Sequence, residues 1–287
     1  MRVRLGRGRR AARVAARFDR DGNADLYAGA EGTRLLVVLA SGDASHDSGA
    51  VAIAVARCWG AHGRDVLFVD ADASGSGLAI RLGAATRSTY SPASRGLPSL
   101  MAARRGVSAD LLREHCWRLD SPGSGEVSLL LGPTSRSGAP LAAAWLAERT
   151  PDLVDANTER SVIASMTTPL ERAQITLLRA ASAVVVIAPA DSEERIETLR
   201  SVGRAVIEAA CGCSPCLVID GSTERSYEEI LVATGLYVAG RLEDVPASVL
   251  LRNRSRRRDL ESALVVEELA ARIAFLAADD TRMKAVT

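Results

Sequence analysis

Short apolar runs alternate with longer amphipathic stretches along most of this chain. Residues 35–40 read LLVVLA and lead into Ser41-Gly42, and residues 65–69 read DVLFV. Between these two runs, residues 50–61 have helical length and mostly small apolar side chains. A buried strand, a loop, a helix and a second buried strand in this order are typical of the parallel βαβ module.

The same alternation continues towards the end of the chain. Further strands are predicted at residues 127–131, 161–164, 183–188, 216–219 and 237–240. Helices are predicted at residues 140–149, 169–181, 192–210, 226–234 and 258–277, with a short helix near 100–105 after a loop at 84–99. The pattern therefore predicts an α/β fold, in which helices flank a doubly wound, mostly parallel sheet of about seven strands.

The length of 287 residues fits one large domain with extensions. We assign residues 33–278 to the α/β domain, residues 1–32 to a basic arm and linker, and residues 279–287 to a tail. The arm carries eight arginines from Arg2 to Arg20, against one aspartate. Helical spacing would place several of them on one face, which is typical of segments that bind nucleic acid or anionic lipid. A disordered, solvated tail without a partner is the alternative interpretation.

Composition narrows the class of protein. Hydrophobic residues make up 47% and charged residues 25% of the chain, which are ordinary values for a globular protein with a buried core. Aromatic residues make up only 3%, so the core must be built from Ala, Val, Leu and Ile. The net charge of +1 argues against binding of polyanions by the whole surface. No apolar run is long enough for a membrane-spanning helix, and no apolar stretch follows the basic N-terminus, so no secretory signal is expected.

Arginine replaces lysine almost everywhere in this sequence. Of the 36 basic residues other than histidine, only Lys284 is a lysine and the other 35 are arginine. Such a bias is typical of genomic composition, but it has a chemical consequence. Mechanisms that need a lysine ammonium inside the fold are excluded.

The five cysteines are an odd number, which fits free thiols in a reducing cytoplasm. Cys211, Cys213 and Cys216 form a C-x-C-x-x-C cluster that would hold zinc or an iron–sulfur cluster only with a fourth ligand from elsewhere. The simpler interpretation is a turn of small residues before the strand at 216–219. No metal-ligand spacing relates the histidines, which are His46, His62 and His115. We therefore expect no metal site.

The loop after the first strand is where this class of fold binds phosphate. Its sequence, at residues 41–49, is SGDASHDSG. A phosphate loop needs glycines whose backbone N–H groups converge, a lysine, and a hydroxyl for Mg²⁺. This loop has Gly42 and Gly49 but no lysine, and the carboxylates of Asp43 and Asp47 would repel a triphosphate. Its length and glycines fit a phosphate loop, whereas its charge does not.

The second strand and the loop after it resemble a known family. Residues 66–83, VLFVDADASGSGLAIRLG, are similar to the MinD/ParA family of deviant P-loop ATPases, in which this strand ends in Asp-x-Asp and a glycine-rich loop leads to Leu-Gly. Residues 226–248, SYEEILVATGLYVAGRLEDVPAS, resemble the family's late unit that ends in a Pro-x-Asp turn. The resemblance covers nearly the whole chain after the arm and implies a P-loop NTPase-like fold. Among its members, the septum-site-determining and Tad-pilus proteins of actinobacteria resemble this Arg-rich chain.

The resemblance also implies where the family's first motif, Lys-Gly-Gly-x-Gly-Lys-Ser/Thr, would lie. The phosphate-binding lysine falls at Ser48, the Mg²⁺-binding hydroxyl at Gly49, and the signature lysine that reaches across a dimer at Asp43. The loop glycines fall at Ala44, Ser45 and Asp47. The nucleotide-loop equivalents are therefore Gly42, Asp43, Asp47, Ser48 and Gly49. The motif is degenerate in this sequence, because neither lysine position carries a lysine and the position of the Mg²⁺-binding hydroxyl carries a glycine.

The remaining motifs are altered as well. Ala164 or Ser165 stands where the family has an Asp close to Mg²⁺. On the adenine side, Asp220 replaces an Asn, and in the late turn Leu242 replaces a Pro whereas Asp244 is retained.

Only the acidic pair Asp70 and Asp72 keeps the family's identity. In the family the second Asp helps to position the attacking water, so Asp72 is the catalytic candidate if the protein is active. A structural role for both residues at the end of the strand is the interpretation that we prefer.

These differences lead us to expect a non-hydrolysing scaffold that acts in the spatial organisation of a septum, a chromosome region, or a pilus or secretion apparatus. No catalytic residue and no cofactor are expected. By analogy with the family, the partners would be a second copy or a related ATPase. The location would be cytoplasmic, with peripheral contact to the membrane or the nucleoid as an open alternative.

Two other functions are compatible with the sequence. In the first, ATP and Mg²⁺ bind, and an arginine such as Arg81 or Arg87 replaces the missing lysine. In the second, the chain is an adaptor that binds DNA or an anionic membrane through the arm and the cluster from Arg252 to Arg258. The last predicted helix, 258–277, carries several carboxylates, so we interpret it as a core-packing helix rather than a membrane helix.

The arm leads to a first prediction. Its affinity for polyanions would come from counterion release, so binding should fall steeply as the salt concentration rises. The full-length protein should retain DNA or anionic vesicles at low salt in a co-sedimentation assay. A truncated protein that begins near Glu31 should retain much less and keep its melting temperature, because a linker separates arm and core. Equal retention by both proteins across a salt series would make the arm a passive tail.

Overall fold

A computed structural model describes residues 35–40, 47–75, 77–86, 89–120, 123–168, 170–210, 213, 215–242, 250–251 and 265–274. The described fold is built on one sheet of eight strands, with helices on both faces. The strands are β1 (Leu35–Ala40), β2 (Val66–Asp70), β3 (Trp117–Leu119), β4 (Val127–Leu130), β5 (Ser161–Thr167), β6 (Ala183–Ala188), β7 (Cys216–Ile219) and β8 (Tyr237–Arg241).

The strand order is β3-β4-β2-β5-β1-β6-β7-β8. Every neighbouring pair is parallel except β3 and β4, which are antiparallel. The first strand, β1, therefore lies inside the sheet between β5 and β6. Since the parallel strands run in the same direction, their carboxyl ends meet at one edge, where ligands bind in doubly wound folds.

Helices form a layer on each face of the sheet. They are α1 (Ser48–Ala61), α2 (Leu78–Thr86), α3 (Leu97–Ala102), α4 (Ala109–His115), α5 (Ala139–Asp155), α6 (Arg172–Ala180), α7 (Glu193–Ala209), α8 (Tyr227–Thr234) and α9 (residues 265–274). Buried side chains of α1, α2 and α9 pack on one face, and those of α3 to α8 pack on the other.

Helix α1 is the most deeply buried helix of the first layer. Its sequence, SGAVAIAVARCWGA, consists mainly of small apolar residues, which allow the helix to pack closely against the sheet. Trp59 is fully buried, and its Nε1 donates a hydrogen bond to the carbonyl oxygen of Ala270 over 3.2 Å. This bond joins α1 to α9, so the last described helix completes the layer around the first one.

Local sequence signals define the ends of α8. The Ser226 side chain accepts a hydrogen bond from the backbone N–H of Glu229, and the Glu229 carboxylate accepts one from the Ser226 N–H. This reciprocal pair is a capping box. The helix ends at Gly235, whose φ of 76° lies in the left-handed region that glycine adopts without strain.

Strand β8 lies at the edge of the sheet, and a side chain of α9 covers part of it. The guanidinium of Arg272 donates a hydrogen bond from Nη1 to the carbonyl oxygen of Ala239 over 3.0 Å. A carbonyl that would otherwise be open to another strand is thereby satisfied within the chain.

The fold class predicted from the sequence is confirmed, and all seven predicted strands are present. The eighth strand, β3, was not predicted, because it has only three residues at the antiparallel edge. The loop predicted at 84–99 is shorter than expected, since α2 ends at Thr86 and α3 begins at Leu97. The helix predicted at 140–149 continues through Pro151 to Asp155.

Several predicted segments lie outside the described residues. They are the arm and linker at 1–32, the tail at 279–287, and the whole basic cluster from Arg252 to Arg258. Of the helix predicted at 258–277, the structure describes residues 265–274 and these are helical. Among the described helices, none combines the length and the apolar character that crossing a membrane requires.

Close backbone packing leads to a second prediction, at Gly125. A Cβ atom there would lie 2.3 Å from the carbonyl oxygen of Arg64 and 2.7 Å from its carbonyl carbon and amide nitrogen. Because no side-chain rotation can relieve a clash with backbone, Gly125→Ala should lower the free energy of unfolding by about 1–3 kcal/mol. Urea denaturation measures the change. As a control, Gly106→Ala should have little effect, since nothing lies within 4 Å of a Cβ there; equal losses in both variants would contradict the packing.

Candidate functional site

The carboxyl edge of the sheet brings several of the residues selected from the sequence close together. Asp70 ends β2, and Asp47 precedes α1 on the connection from β1; Thr167, which was not selected from the sequence, ends β5. Because β2, β5 and β1 are neighbours in the sheet, these positions share one edge. Gly42 and Asp43 lie outside the described residues.

Asp47 is the N-cap of α1. Its backbone is extended, with φ of −74° and ψ of 148°, and its Oδ1 accepts a hydrogen bond from the backbone N–H of Ala50 over 2.9 Å. The N-terminus of a helix attracts negative charge, because its first N–H groups have no partner within the helix. At α1 the carboxylate of Asp47 supplies this negative charge.

Arg81 of α2 holds the other side of this carboxylate. Its Nη1 forms an ion pair with Oδ2 of Asp47, and its Nη2 donates a hydrogen bond to Oδ1 over 3.1 Å. The geometry is bidentate, which is the arrangement that guanidinium groups form with carboxylates and phosphates. Arg81, which the sequence offered as a substitute for the missing lysine, is thus at the start of α1 and engaged with Asp47.

The two residues after Asp47 leave little room for phosphate chemistry. Ser48 is 2% exposed, and Gly49 is also buried. A Cβ at Gly49 would lie 2.8 Å from Cδ2 of Leu78 and 3.1 Å from Oδ1 of Asp47. Gly49 is therefore packed against α2.

Asp70 is a buried acid. Its Oδ1 accepts a hydrogen bond from the N–H of Asp72 over 3.4 Å, and its Oδ2 accepts one from the N–H of Gly132 over 3.3 Å. Burial, the largest cause, and the neighbouring carboxylates of Asp72 and Asp47 raise the pKa of Asp70, the two backbone hydrogen bonds lower it, and the result is a pKa of about 7. Asp70 therefore titrates near neutral pH.

Asp72 forms a closed local network. Its Oδ1 accepts hydrogen bonds from the Ser74 N–H over 3.0 Å, from the Ser74 hydroxyl over 2.8 Å, and from the Thr167 hydroxyl over 2.7 Å. The Ser74 hydroxyl also lies 2.9 Å from Oδ2. These contacts tie the loop after β2 to the end of β5.

Ser165 lies beside this acidic pair. It is the register partner of Asp70 on β5, so both side chains are on the same face of the sheet. Its Oγ is buried and has no hydrogen-bond partner. Ala164 belongs to the core on the opposite face, so of these two residues only Ser165 lies on the face of Asp70.

The other predicted positions do not join this cluster in the described part of the chain. Asp220 is buried directly after β7, on the far side of β6, and its N–H donates to the carbonyl oxygen of Ala188 over 3.0 Å. Asp244, Arg87 and Cys211 lie outside the described residues. Where the structure describes the chain, no three His, Cys, Asp or Glu side chains form a group that could hold a metal ion.

Three contributors to the site were not predicted from the sequence. Ser74 has a local signal, since a hydroxyl two residues after an aspartate commonly closes a turn on its carboxylate. Thr167 has no such signal, because the residue reaches Asp72 only through the pairing of β2 with β5. Gly132 approaches Asp70 in the same non-local way, from the loop after β4.

The sequence matches no protein-family model and no curated protein. Among solved structures, the cell division ATPase MinD of Pyrococcus furiosus is similar, with a TM-score of 0.63 at 15% identity over 83% of this chain and 97% of that one. The ParA family ATPase of Chlorobium tepidum has a TM-score of 0.56 at 14% identity, over 85% and 96% of the two chains. A chain of the MinC:MinD cell division complex of Aquifex aeolicus has a TM-score of 0.58 at 14% identity, over 83% and 94%. The protein therefore has the fold of the MinD and ParA ATPases.

Buried Asp70 leads to a third prediction, on stability against pH. Because its pKa is about 7 in the folded state and 3.8 in its ordinary surroundings, the folded protein binds more protons than the unfolded chain between these values. This contribution to stability is present at low pH and is lost as the pH rises through about 7. Asp70→Asn, which does not titrate, should flatten this part of the profile of melting temperature against pH.

The control for this measurement is Asp155→Asn, because Asp155 is an exposed carboxylate at the end of α5. It should leave the profile as it is in the unchanged protein. An Asp70→Asn profile that falls as steeply as that of the control would show that another group titrates in this range.

Proposed function

We propose that this protein is a non-hydrolysing member of the MinD/ParA fold that acts as a scaffold in spatial organisation. The observation that carries the proposal is the Asp47 carboxylate at the N-terminus of α1, with Arg81 bound to it. In phosphate-binding folds this position attracts the anion of the ligand. Here the carboxylate of Asp47 is the anion at this position, and the guanidinium of Arg81 balances its charge.

The described residues do not fit a nucleotide phosphate with Mg²⁺ at this position. A phosphate within about 4 Å of the Asp47 carboxylate would be repelled by roughly 1–4 kcal/mol, at effective dielectric constants of about 80 to 20. Ser48 supplies no ammonium group, and Gly49 supplies no hydroxyl for a metal ion. The buried pair of Asp70 and Asp72 adds further negative charge to the same edge.

The groups that would have to act in hydrolysis are missing or engaged. Stabilisation of charge on the transferred phosphoryl group contributes several orders of magnitude in rate, and it needs cationic or metal groups aimed at the phosphates. Asp72, the catalytic candidate, accepts hydrogen bonds from Ser74 and Thr167. A protein that binds partners without turning over ATP is consistent with these contacts.

The scaffold role rests on the solved structures that share the fold. One of them is a cell division ATPase, one a ParA family ATPase, and one a complex of MinD with MinC. By analogy we propose that this protein forms a homodimer, or a heterodimer with a related ATPase. Its task would be to position a septum, a chromosome region, or a pilus or secretion apparatus from the cytoplasm, with peripheral contact to the membrane or the nucleoid.

One observation favours a second candidate function, an ATP-binding protein in which Arg81 replaces the lysine. Arg81 already lies at the start of α1, and a guanidinium binds phosphate in the same bidentate way as it binds the carboxylate of Asp47. In this case Arg81 would exchange Asp47 for a phosphate. A nucleotide titration separates the two candidates, because only the second one requires binding.

The fourth prediction tests the proposed role of Asp47. The unchanged protein should show no Mg²⁺-dependent ATP hydrolysis above a heat-treated control and no heat of ATP binding in calorimetry. The double variant Asp47→Gly with Ser48→Lys should bind ATP measurably, because it removes the carboxylate and restores the ammonium. The matched control is Ser48→Lys alone, which keeps Asp47 and should bind much more weakly.

Three results would count against the proposal. Turnover in the unchanged protein that Asp72→Ala abolishes would make it an ATPase. Binding in the unchanged protein that Arg81→Ala abolishes would support the second candidate. Equal affinity in the single and double variants would show that Asp47 does not exclude nucleotide.

A further inference from the structure

Helices α7 and α8 form an open groove on the face of the sheet opposite α1. Its lining includes Arg200 from α7 and Glu228, Glu229, Val232 and Ala233 from α8. Val232 is 81% exposed, the highest value among the large hydrophobic residues of the described chain. An isolated exposed valine needs no explanation, but this one lies in a groove with a charged rim.

The rim of the groove is acidic. Its lining carries two glutamates of α8, Glu228 and Glu229, against one arginine of α7, Arg200. Arg200 is the cation of the groove, and it is already engaged, since it forms an ion pair with Glu197 and donates a hydrogen bond from Nε to the carbonyl oxygen of Ala233 over 2.9 Å. The surface therefore fits a segment that presents basic groups beside a narrow apolar stripe.

We propose that the chain's own N-terminal arm, residues 1–20, docks in this groove. On a helix, residues 11, 14, 15 and 18 of the arm share one face, and they are Ala, Val, Ala and Phe. On such a helix Arg10 and Arg17 border that face, whereas Arg13 lies farther round towards the opposite side. The apolar stripe would cover Val232, and Arg10 and Arg17 would meet the glutamates of the rim.

The connection is long enough for the arm to reach the groove. Residues 21–34 separate the arm from β1, and an extended chain spans up to about 3.3–3.6 Å per residue, which allows more than about 40 Å. Strand β8 lies three positions from β1, at about 4.8 Å per strand. Ala233 lies just before β8, at the same end of the sheet as the start of β1, so the arm need not pass around the domain.

The arm fits this surface better than the chain's other basic segment. Residues 252–258, RNRSRRR, include no apolar side chain, so they offer nothing to cover Val232. The arm combines charge with an apolar stripe and carries eight arginines against one aspartate. Docking would occupy those arginines, and a polyanion would have to compete with the α7–α8 glutamates for them.

The fifth prediction tests this contact in the full-length protein by photo-crosslinking. Phe18→p-benzoylphenylalanine places a crosslinker on the apolar stripe, and mass spectrometry locates the product. We expect crosslinks to residues 193–209 and 227–234. Val232→Asp should weaken docking about fivefold, since a lost side-chain contact of about 1 kcal/mol corresponds to that factor. Glu228→Arg should also weaken it, and added salt should lower the yield.

The matched control is Ile80→Asp on α2, because Ile80 is 67% exposed but belongs to the layer on the other face of the sheet. It should leave the crosslinks unchanged. Mixing isotopically labelled and unlabelled protein shows whether the crosslinked peptides come from one chain. Crosslinks between two chains would overturn the proposal in favour of a second copy as the occupant. Crosslinks elsewhere, or a yield that Val232→Asp and Ile80→Asp lower equally, would overturn it as well.

Discussion

The N-terminus of α1 imposes the constraint on which the candidate site depends. A buried helix that starts at the carboxyl edge of a parallel sheet directs several unpaired N–H groups to one point, and these groups must find acceptors. In this chain Asp47 supplies an acceptor, and Arg81 balances its charge. The loop, the first turn of α1 and the start of α2 are thus connected through one carboxylate. That carboxylate lies where phosphate-binding folds place the anion of their ligand.

The fold could be predicted from the sequence because its signals are local. Apolar runs such as residues 35–40 and 183–188 fix buried strands, and capping residues such as Ser192 and Ser226 fix the starts of helices. The elements that escaped prediction, β3, α4 and the nine-residue helix α2, are short. Strand β3 has only three residues and depends on its pairing with β4, and α4 has two turns whose apolar residues, Leu111 and Leu112, are adjacent rather than periodic.

The candidate site was predictable in its members but not in its contacts. The acidic pair and the altered loop are visible in the sequence, because their positions follow strands of a recognisable pattern. The groups that donate hydrogen bonds to these carboxylates depend on the strand order. Thr167 reaches Asp72 only because β5 lies next to β2. The neutral-range pKa of Asp70 likewise results from burial under Gly132 and from two other carboxylates. No local sequence pattern predicts a pKa that depends on several residues far apart in the chain.

The contact between Arg272 and Ala239 has a consequence for how copies of this protein can associate. A sheet grows from one molecule to the next when edge strands exchange backbone hydrogen bonds. At β8 an incoming strand would first have to remove a guanidinium from the carbonyl oxygen that it needs. Arg272 therefore competes with any incoming strand for this one acceptor of the edge.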